Sequence, residues 1–448
     1  MHKHGITLYA IALILIITTP LCASDTERCL GLIEAIKIAM DGNYEIRASR
    51  NSLSARKEDI GIARSYLLPK ITFEERASRT NNPPGVFMSK LNQERFSQTD
   101  FDINSLNNPK PISDLQTLFS IEQPIFAGKA YVGLGMAKKE YSAQNEYHNR
   151  KKEEITLKVA QAFLNVHTAK EYLLLAQKSA EDAREHLKIA EARYKNGLGT
   201  YSDVLRVKTT VIEKEQKIIS TVKNHEVSKN MLGLLLGTSE PIDIRDENMD
   251  FPLNEADYYV KASLSRRDIK AMQLQYENAK KNITLAESTY LPYIGIGGSY
   301  QLNDHKKIFG SEGESWRLMA ALRWDLFDGT NREYERDKAR YKAAEAEEHL
   351  KGFKHFVSFK INEAYLAVEE ARKNVELSRS AVHAIEEGKR LVKSRFENSL
   401  SPVIDLLDVQ LNLDHTRANM VAKQNEYRLA VINLSYESGT ILKDLKME

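Results

Sequence analysis

Ala190-Glu-Ala-Arg-Tyr-Lys-Asn-Gly-Leu-Gly-Thr-Tyr-Ser-Asp-Val-Leu205 is the stretch around which the chain is organised. Up to Tyr194 it reads as the end of a helix; Asn196-Gly-Leu-Gly199 breaks the pattern, and a second helix starts near Ser202. No proline falls between Pro124 and Pro241. The spacing therefore predicts one helix over 129–194, about 66 residues or roughly 100 Å long. Ordinary globular helices run to about 11–12 residues. Roughly 200 residues later Val392-Lys-Ser-Arg-Phe-Glu-Asn-Ser-Leu-Ser-Pro-Val-Ile-Asp-Leu-Leu407 repeats the motif. A duplicated helix of this length, with its turn, sets the architecture.

Outward from that stretch, the first half predicts a helix over 30–66, with Gly42-Asn43 as a possible interruption and Pro69 as its stop. A strand over 70–78 follows, its alternation flawed by Glu75 on the apolar face. A long polar loop leads to a return strand over 115–123, in which Leu115, Thr117, Phe119 and Ile121 share a face. After the long helix and its turn, a shorter helix over 202–236 ends at Gly237. The second half repeats this order. Asn43-Tyr-Glu-Ile-Arg-Ala48 matches Arg266-Arg-Asp-Ile-Lys-Ala271, Leu68-Pro69 matches Leu291-Pro292, and Phe126-Ala-Gly128 matches Phe327-Asp-Gly329. Ala162-Phe-Leu164 matches Ala364-Tyr-Leu366, and Gly237-Thr238 matches Gly439-Thr440. The expected organisation is a signal peptide over 1–24, a first repeat over 25–240, a connector over 241–254, a second repeat over 255–440 and a short tail over 441–448.

The chain has 448 residues, 42 % hydrophobic and 28 % charged, enough to bury a sizeable core. Lys+Arg number 64 against 62 Asp+Glu, which leaves no basic footprint for nucleic acid. Lys3 precedes an apolar run over 6–17, and Cys22-Ala-Ser24 offers small residues for cleavage before Asp25. Lipidation of Cys22 is disfavoured by the bulky Leu21 before it. After cleavage Cys29 has no cysteine partner. No later stretch holds the ~18 consecutive apolar residues of a membrane helix. An exported chain of this kind enters a membrane by strands if it enters one.

The clearest strand runs over 316–326, where Trp316, Leu318, Ala320, Leu322, Trp324 and Leu326 alternate with Arg317, Arg323 and Asp325. That pattern suits either a membrane strand with interfacial tryptophans or a half-buried strand of a soluble sheet. With the export signal, the membrane strand is the better match. Four strands per chain cannot close a barrel, since the smallest bacterial ones have about 8 and lipid tolerates no open edge. Several chains must then share one barrel.

With these features together, the chain resembles the TolC-type outer-membrane efflux proteins over essentially all of its mature length. The residues that carry the resemblance are Leu68-Pro69, Leu291-Pro292, Pro124-Ile-Phe-Ala-Gly128, Asp325-Leu-Phe-Asp-Gly329 and the two turns, notably Tyr194 to Leu205 with its Gly and Asp-Val-Leu. The resemblance implies a mainly α fold with membrane β: a long coiled-coil helical barrel below an outer-membrane β-barrel shared by a homotrimer. It also implies an exit duct in outer-membrane lipid of a Gram-negative-type bacterium, extending into the periplasm. A periplasmic adaptor (membrane fusion protein) and an inner-membrane transporter would complete the efflux or type I secretion machine.

Candidate site residues follow from the turns. Asp203 and Asp405 occupy equivalent positions, each at the start of a helix, where an acid either caps the helix or lines a pore. Asp405 and Asp408 are three apart and share a helix face, so a trimer would repeat them as an acidic ring. In the family, acids at these positions line the periplasmic aperture. Some members also lock the tip with a tyrosine and an arginine; here those positions carry Phe396 and Ser401, so this aperture closes by other contacts or less tightly. Arg206, the first-repeat equivalent of Asp408, is a candidate partner for the acids. Asn196, Gly197, Leu198 and Gly199, with Asn398, Ser399 and Leu400, either meet the adaptor or only reverse the chain.

No enzyme constellation emerges, and no cofactor or metal site is expected. His148, His167, His186 and His225 are scattered and expected on exposed helix faces, without metal-ligand spacing. Gly295-Ile-Gly-Gly298 lies in a strand and is no phosphate loop. The competing architecture, a soluble periplasmic coiled-coil scaffold or adaptor, would show one helical hairpin flanked by split β-domains. Two hairpins with strands at matching places favour the channel.

Overall fold

A computed structural model describes residues 29–245, 247, 251, 253–398 and 400–447. The expected signal peptide with Cys22, part of the connector, and Ser399 lie outside the described residues. The first repeat opens with β1 (Cys29–Leu30), α1 (Leu32–Gly42) and α2 (Tyr44–Ser65). It continues with β2 (Lys70–Thr80), α3 (Pro83–Asn92), α4 (Ile103–Asn107) and β3 (Ile112–Phe126). The long α5 (Gly128–Lys195) and α6 (Tyr201–Leu236) complete it. After β4 (Asp243–Ile244), the second repeat contains α7 (Ala256–Ser263), α8 (Arg267–Glu287), β5 (Tyr293–Asp304) and β6 (Gly313–Arg323). It closes with α9 (Asn331–Glu397), α10 (Val403–Ser438) and α11 (Ile441–Asp444).

The predicted long helices are present, with 68 residues in α5 and 67 in α9, each about 100 Å. Each pairs with the 36-residue helix that follows it, and α5 also packs on α10, which joins the two hairpins. The interruption at Gly42-Asn43 is real. Asn43 is extended, and its side-chain oxygen accepts from the N–H groups of Glu45 (2.9 Å) and Ile46 (3.3 Å), an N-cap for α2. Its Nδ2 donates to the Leu235 carbonyl at 2.8 Å, next to the end of α6. Arg266 repeats this join with different chemistry: it stands before α8 and donates to the Glu437 carbonyl at the end of α10. Both helices then end on a left-handed glycine, Gly237 (φ 83°) and Gly439 (φ 77°), which L-residues rarely replace without strain.

Four strands form one antiparallel sheet in the order β2-β3-β5-β6. Its register puts Phe73, Phe119, Tyr300 and Trp316 in one row across the sheet, and Ile121 and Leu318 on that same face. The opposite face carries Thr72, Glu74, Ser120, Gln301 and Arg317. Trp316 is 73 % and Leu318 77 % exposed; among the described residues Phe309 stacks near Phe73, and nothing covers the face at Trp316 and Leu318. The strand expected over 316–326 ends instead at Arg323, opposite Tyr293, where its partner β5 begins after Pro292, which has no N–H to offer; beyond it Arg332 donates to the carbonyls of Asp325 (2.8 Å) and Leu326 (2.9 Å). Glu75, the flaw in the apolar alternation, accepts from Thr117 across the strand pair at 2.5 Å.

Two features were not foreseen. The loop between β2 and β3 is ordered by α3, α4 and a T-shaped chain of Phe87, Phe96 and Phe101, with ring centroids 4.8 and 5.0 Å apart. Gln93 folds it onto the polar face of the sheet through the Ser113 carbonyl (2.9 Å) and Asp114 (2.8 Å). The second is a small parallel pair, β1 with β4, beside the main core.

The core lies where the helix ends of the two repeats meet, around Ile36, Ile46, Phe163, Leu232 and Ile432, and the tail adds Ile441 and Leu445 to it. A buried ionic cluster joins the repeats there: Arg150 meets Glu153 at 2.7 Å and Asp268 at 3.4 Å, and Asp268 meets Arg266 at 2.6 Å. Burial pushes the Glu153 carboxyl up. Asp268 is also buried, but the two guanidiniums hold it below the usual carboxylate range.

Candidate functional site

At the far end of the long helices, the two turns lie against each other. In the first, Leu198 N–H donates to the Arg193 carbonyl at 2.9 Å and Gly197 takes φ 72°. In the second, Leu400 N–H donates to the Arg395 carbonyl at 2.8 Å, the same closure. Behind the turns, Phe396, 3 % exposed, packs with Ala190, Val204, Val207, Val403 and Leu406. A cavity of about 410 Å³ is bordered by both turns, lined by Arg193, Leu198, Thr200, Asp203, Phe396, Leu400, Ser401 and Pro402 among others. The Ser401 hydroxyl is buried there without a hydrogen-bond partner.

The two equivalent aspartates have different fates. Asp203 closes a capping box: Thr200 N–H and Oγ1 donate to its carboxylate at 3.2 and 2.8 Å, and Asp203 N–H donates to Thr200 Oγ1 at 3.2 Å. Pro402 holds the cap position of α10 and offers neither N–H nor side-chain oxygen. Asp405 therefore has an uncommitted carboxylate. It is exposed, as is Asp408, while Val403, Leu406 and Gln410 face inward. Arg206 is exposed, and among the described residues no ion pair joins it to Asp405 or Asp408. Asn196, Gly197, Leu198, Asn398 and Leu400 are exposed and Gly199 is half-buried.

A polar belt above the tip escaped the sequence reading. Asp182 meets Lys389 at 2.8 Å, Lys214 meets Asp414 at 2.7 Å, and Gln410 donates to Asp414 at 2.8 Å. These contacts link α5, α6, α9 and α10. His186 sits among them, 2 % exposed. Burial, then the Lys389 charge, lowers its pKa. Burial opposes ionisation of Asp182, yet Lys389 holds its carboxyl below the usual range. The expectation of exposed histidines is thus wrong for His148, His186 and His225, which are all buried, and His167 is half-buried. Helix periodicity does not say which face a neighbouring hairpin covers.

At the opposite end, Asp304, His305 and Glu312 bring potential ligand atoms within 4.8 Å of one another. His305 already hydrogen-bonds Glu312, and Asp304 accepts from the N–H groups of Lys306 (2.6 Å) and Lys307 (2.8 Å), so the group closes the β5–β6 turn. At the tips, small exposed turns and the exposed acids Asp405 and Asp408 stand at the end of the paired long helices.

A model of the family described as outer membrane efflux protein matches residues 35–238 and 258–440. Nodulation protein T of Rhizobium leguminosarum bv. trifolii is 23 % identical over 280 residues, 60 % of this chain and 59 % of that protein. The outer membrane protein TolC of Vibrio cholerae is 21 % identical over 359 residues, 76 % of this chain and 80 % of that one. Among solved structures, a membrane protein from Pseudomonas aeruginosa aligns with a TM-score of 0.76 at 18 % identity, covering 91 % of this chain and 93 % of the other. At that identity the likeness shows the fold.

Proposed function

The chain belongs to the outer membrane efflux protein family, and on that footing we propose that it is the passive exit duct of a tripartite efflux or type I secretion machine. The family consists of outer-membrane channel proteins that reach into the periplasm. In this reading three copies share one barrel. Strands β2 and β6 are the two free edges of the sheet, and an unpaired edge is not tolerated in lipid. Pairing β2 of one copy with β6 of the next removes every edge once the ring closes, and three copies supply about 12 strands, within the bacterial range. The single observation that supports this most is the uncovered apolar face around Trp316 and Leu318, which would aggregate in water but suits hydrocarbon. The same face speaks against a soluble periplasmic scaffold.

At the other end, Asp405 and Asp408 would be repeated around the threefold axis as a ring of acids at the periplasmic mouth. Such a ring raises the local cation concentration and filters a narrow pore. The exposed turn leucines, Leu198 and Leu400, together with Asn196, Gly197, Gly199, Asn398 and Ser399, would seat the tips of a periplasmic adaptor. Arg206 would face these turns from the first hairpin, free to pair across copies. Reconstitution in a planar bilayer under a salt gradient tests the proposal. A cation-selective conductance is expected, reduced in selectivity in Asp405→Asn with Asp408→Asn. A conductance with unchanged selectivity in that double variant would remove the ring, and no conductance from a pure membrane-extracted protein would remove the duct.

A further inference from the structure

We infer that Arg193 is the tie that holds the two turns together and keeps the tip closed, in place of the tyrosine and arginine that this chain lacks at 396 and 401. The inference rests on the duct reading above. Arg193 stands in the last turn of α5 and is half-buried. Its guanidinium carbon lies 4.6 Å from the centroid of the Phe396 ring. Its Nη1 donates to the Phe396 carbonyl at 2.5 Å, and its Nη2 donates to the Leu198 carbonyl at 3.2 Å. One side chain thus touches the end of α9 in one hairpin and the turn of the other.

The chemistry suits a latch. The Phe396 carbonyl is among the last of α9, where helices leave carbonyls unsatisfied and the dipole favours a cation. A guanidinium is charged at every relevant pH and offers a planar fork, so it can bind both carbonyls while its face lies on a ring. A phenylalanine at 396 supplies that ring and its buried packing without a hydroxyl. The repeat-equivalent arginine, Arg395, is exposed, and no side-chain contact joins it to the first turn among the described residues. The asymmetry matters: two equivalent arginines, one built into the join and one outside it. Widening an aperture formed by hairpin tips requires one hairpin to move against the other. The ties of Asp182 with Lys389 (2.8 Å) and Glu185 with Lys393 (3.0 Å) lie higher on the helices. Arg193 acts at the tip itself, where a displacement is largest.

Single-channel recording of the detergent-extracted trimer tests this, with Arg193→Gln, Arg193→Lys, Phe396→Leu and Arg395→Gln compared with the parent chain. The Leu198 bond lies within the first turn and orients the guanidinium, so the join across the hairpins is one charge-assisted hydrogen bond and one ring contact, enough to shift a closed-to-open ratio by about tenfold. Arg193→Gln is expected to raise the open fraction about tenfold, and Phe396→Leu, which removes the ring but keeps the accepting carbonyl, by less. Arg193→Lys keeps the charge but not the fork and is expected between the parent and Arg193→Gln. Arg395→Gln is expected to match the parent. Trimer mass and melting temperature are measured on each variant, because a variant that only loosened the fold would move these first. Intact Arg193→Gln trimers with the parent's open fraction would overturn the tie and leave the duct standing. A parent protein that is monomeric and never conducts would overturn the duct reading beneath it.

Discussion

Replacing Pro402 by threonine sets two duties of one carboxylate against each other. Thr200 (φ −101°, ψ 153°) ties Asp203 into a capping box, whereas Pro402 (φ −73°, ψ 163°) leaves Asp405 uncommitted. The backbone at 402 is already extended as a cap requires, so the introduced hydroxyl and N–H can reach Asp405 as Thr200 reaches Asp203. A cap of this type contributes about 0.5–2 kcal/mol. At about 1 kcal/mol, opening of the first turn of α10 becomes roughly fivefold rarer. The same hydrogen bonds turn the Asp405 carboxylate back onto its own helix, which leaves Asp408 alone in the proposed ring. Two readouts follow. Amide exchange over 403–406, read by mass spectrometry, should slow about fivefold, and the reversal potential under a salt gradient should move toward that of Asp405→Asn. Slower exchange with the parent's reversal potential would refute a competition between cap and ring.

Other perturbations probe the sheet and the polar belt. Leu318→Arg places a charge on the apolar face at a cost of about 2–4 kcal/mol per chain if the site lies near the membrane midplane; outer-membrane recovery should collapse, while Arg317→Leu on the polar face should assemble, and equal recovery would contradict the assignment of faces. Asp182→Ala strands the Lys389 ammonium, whose side chain is 20 % exposed, at about 1–3 kcal/mol by chemical denaturation; a double-mutant cycle with Lys389→Ala should return a coupling above about 0.5 kcal/mol, and additivity would show the contact to be idle. His186 is held neutral by burial and by Lys389, with a hydrogen bond to Gln410 and the charges of Asp182 and Glu185 acting against them. Its folded pKa lies below the unfolded value of about 6.5, so its share of stability is complete above that pH and is lost as pH falls through and below it. Melting temperature should therefore drop more between pH 7 and pH 5.5 in the parent than in His186→Gln; parallel slopes would count against the buried neutral ring.

Much of the fold was legible because its signals are long. A proline-free run of helical pattern predicts α5 to within a residue at each end, and an ordered set of repeated motifs predicts a second such helix and both turns. Strand β6 was displaced by three residues because apolar alternation continues through Trp324 and Leu326, past the point where its partner β5 begins at Tyr293, an end no pattern local to β6 encodes. The different roles of Asp203 and Asp405 were partly legible, since Thr200-x-x-Asp203 is a capping box and Pro402-x-x-Asp405 cannot be one. Equating the two by position hid that difference. Arg193 was invisible for a simpler reason: an arginine in a last helical turn looks like solvated surface, and its partner Phe396 is 203 positions away. His186 is similar, because its burial is decided by the packing of α5 on the second hairpin.

The most direct test of the shared barrel is the mass of the mature protein extracted with detergent from the outer-membrane fraction. A species of three copies, confined to that fraction, is the predicted result, since only closure among copies pairs the free edges β2 and β6. A soluble monomer in the periplasm would contradict it.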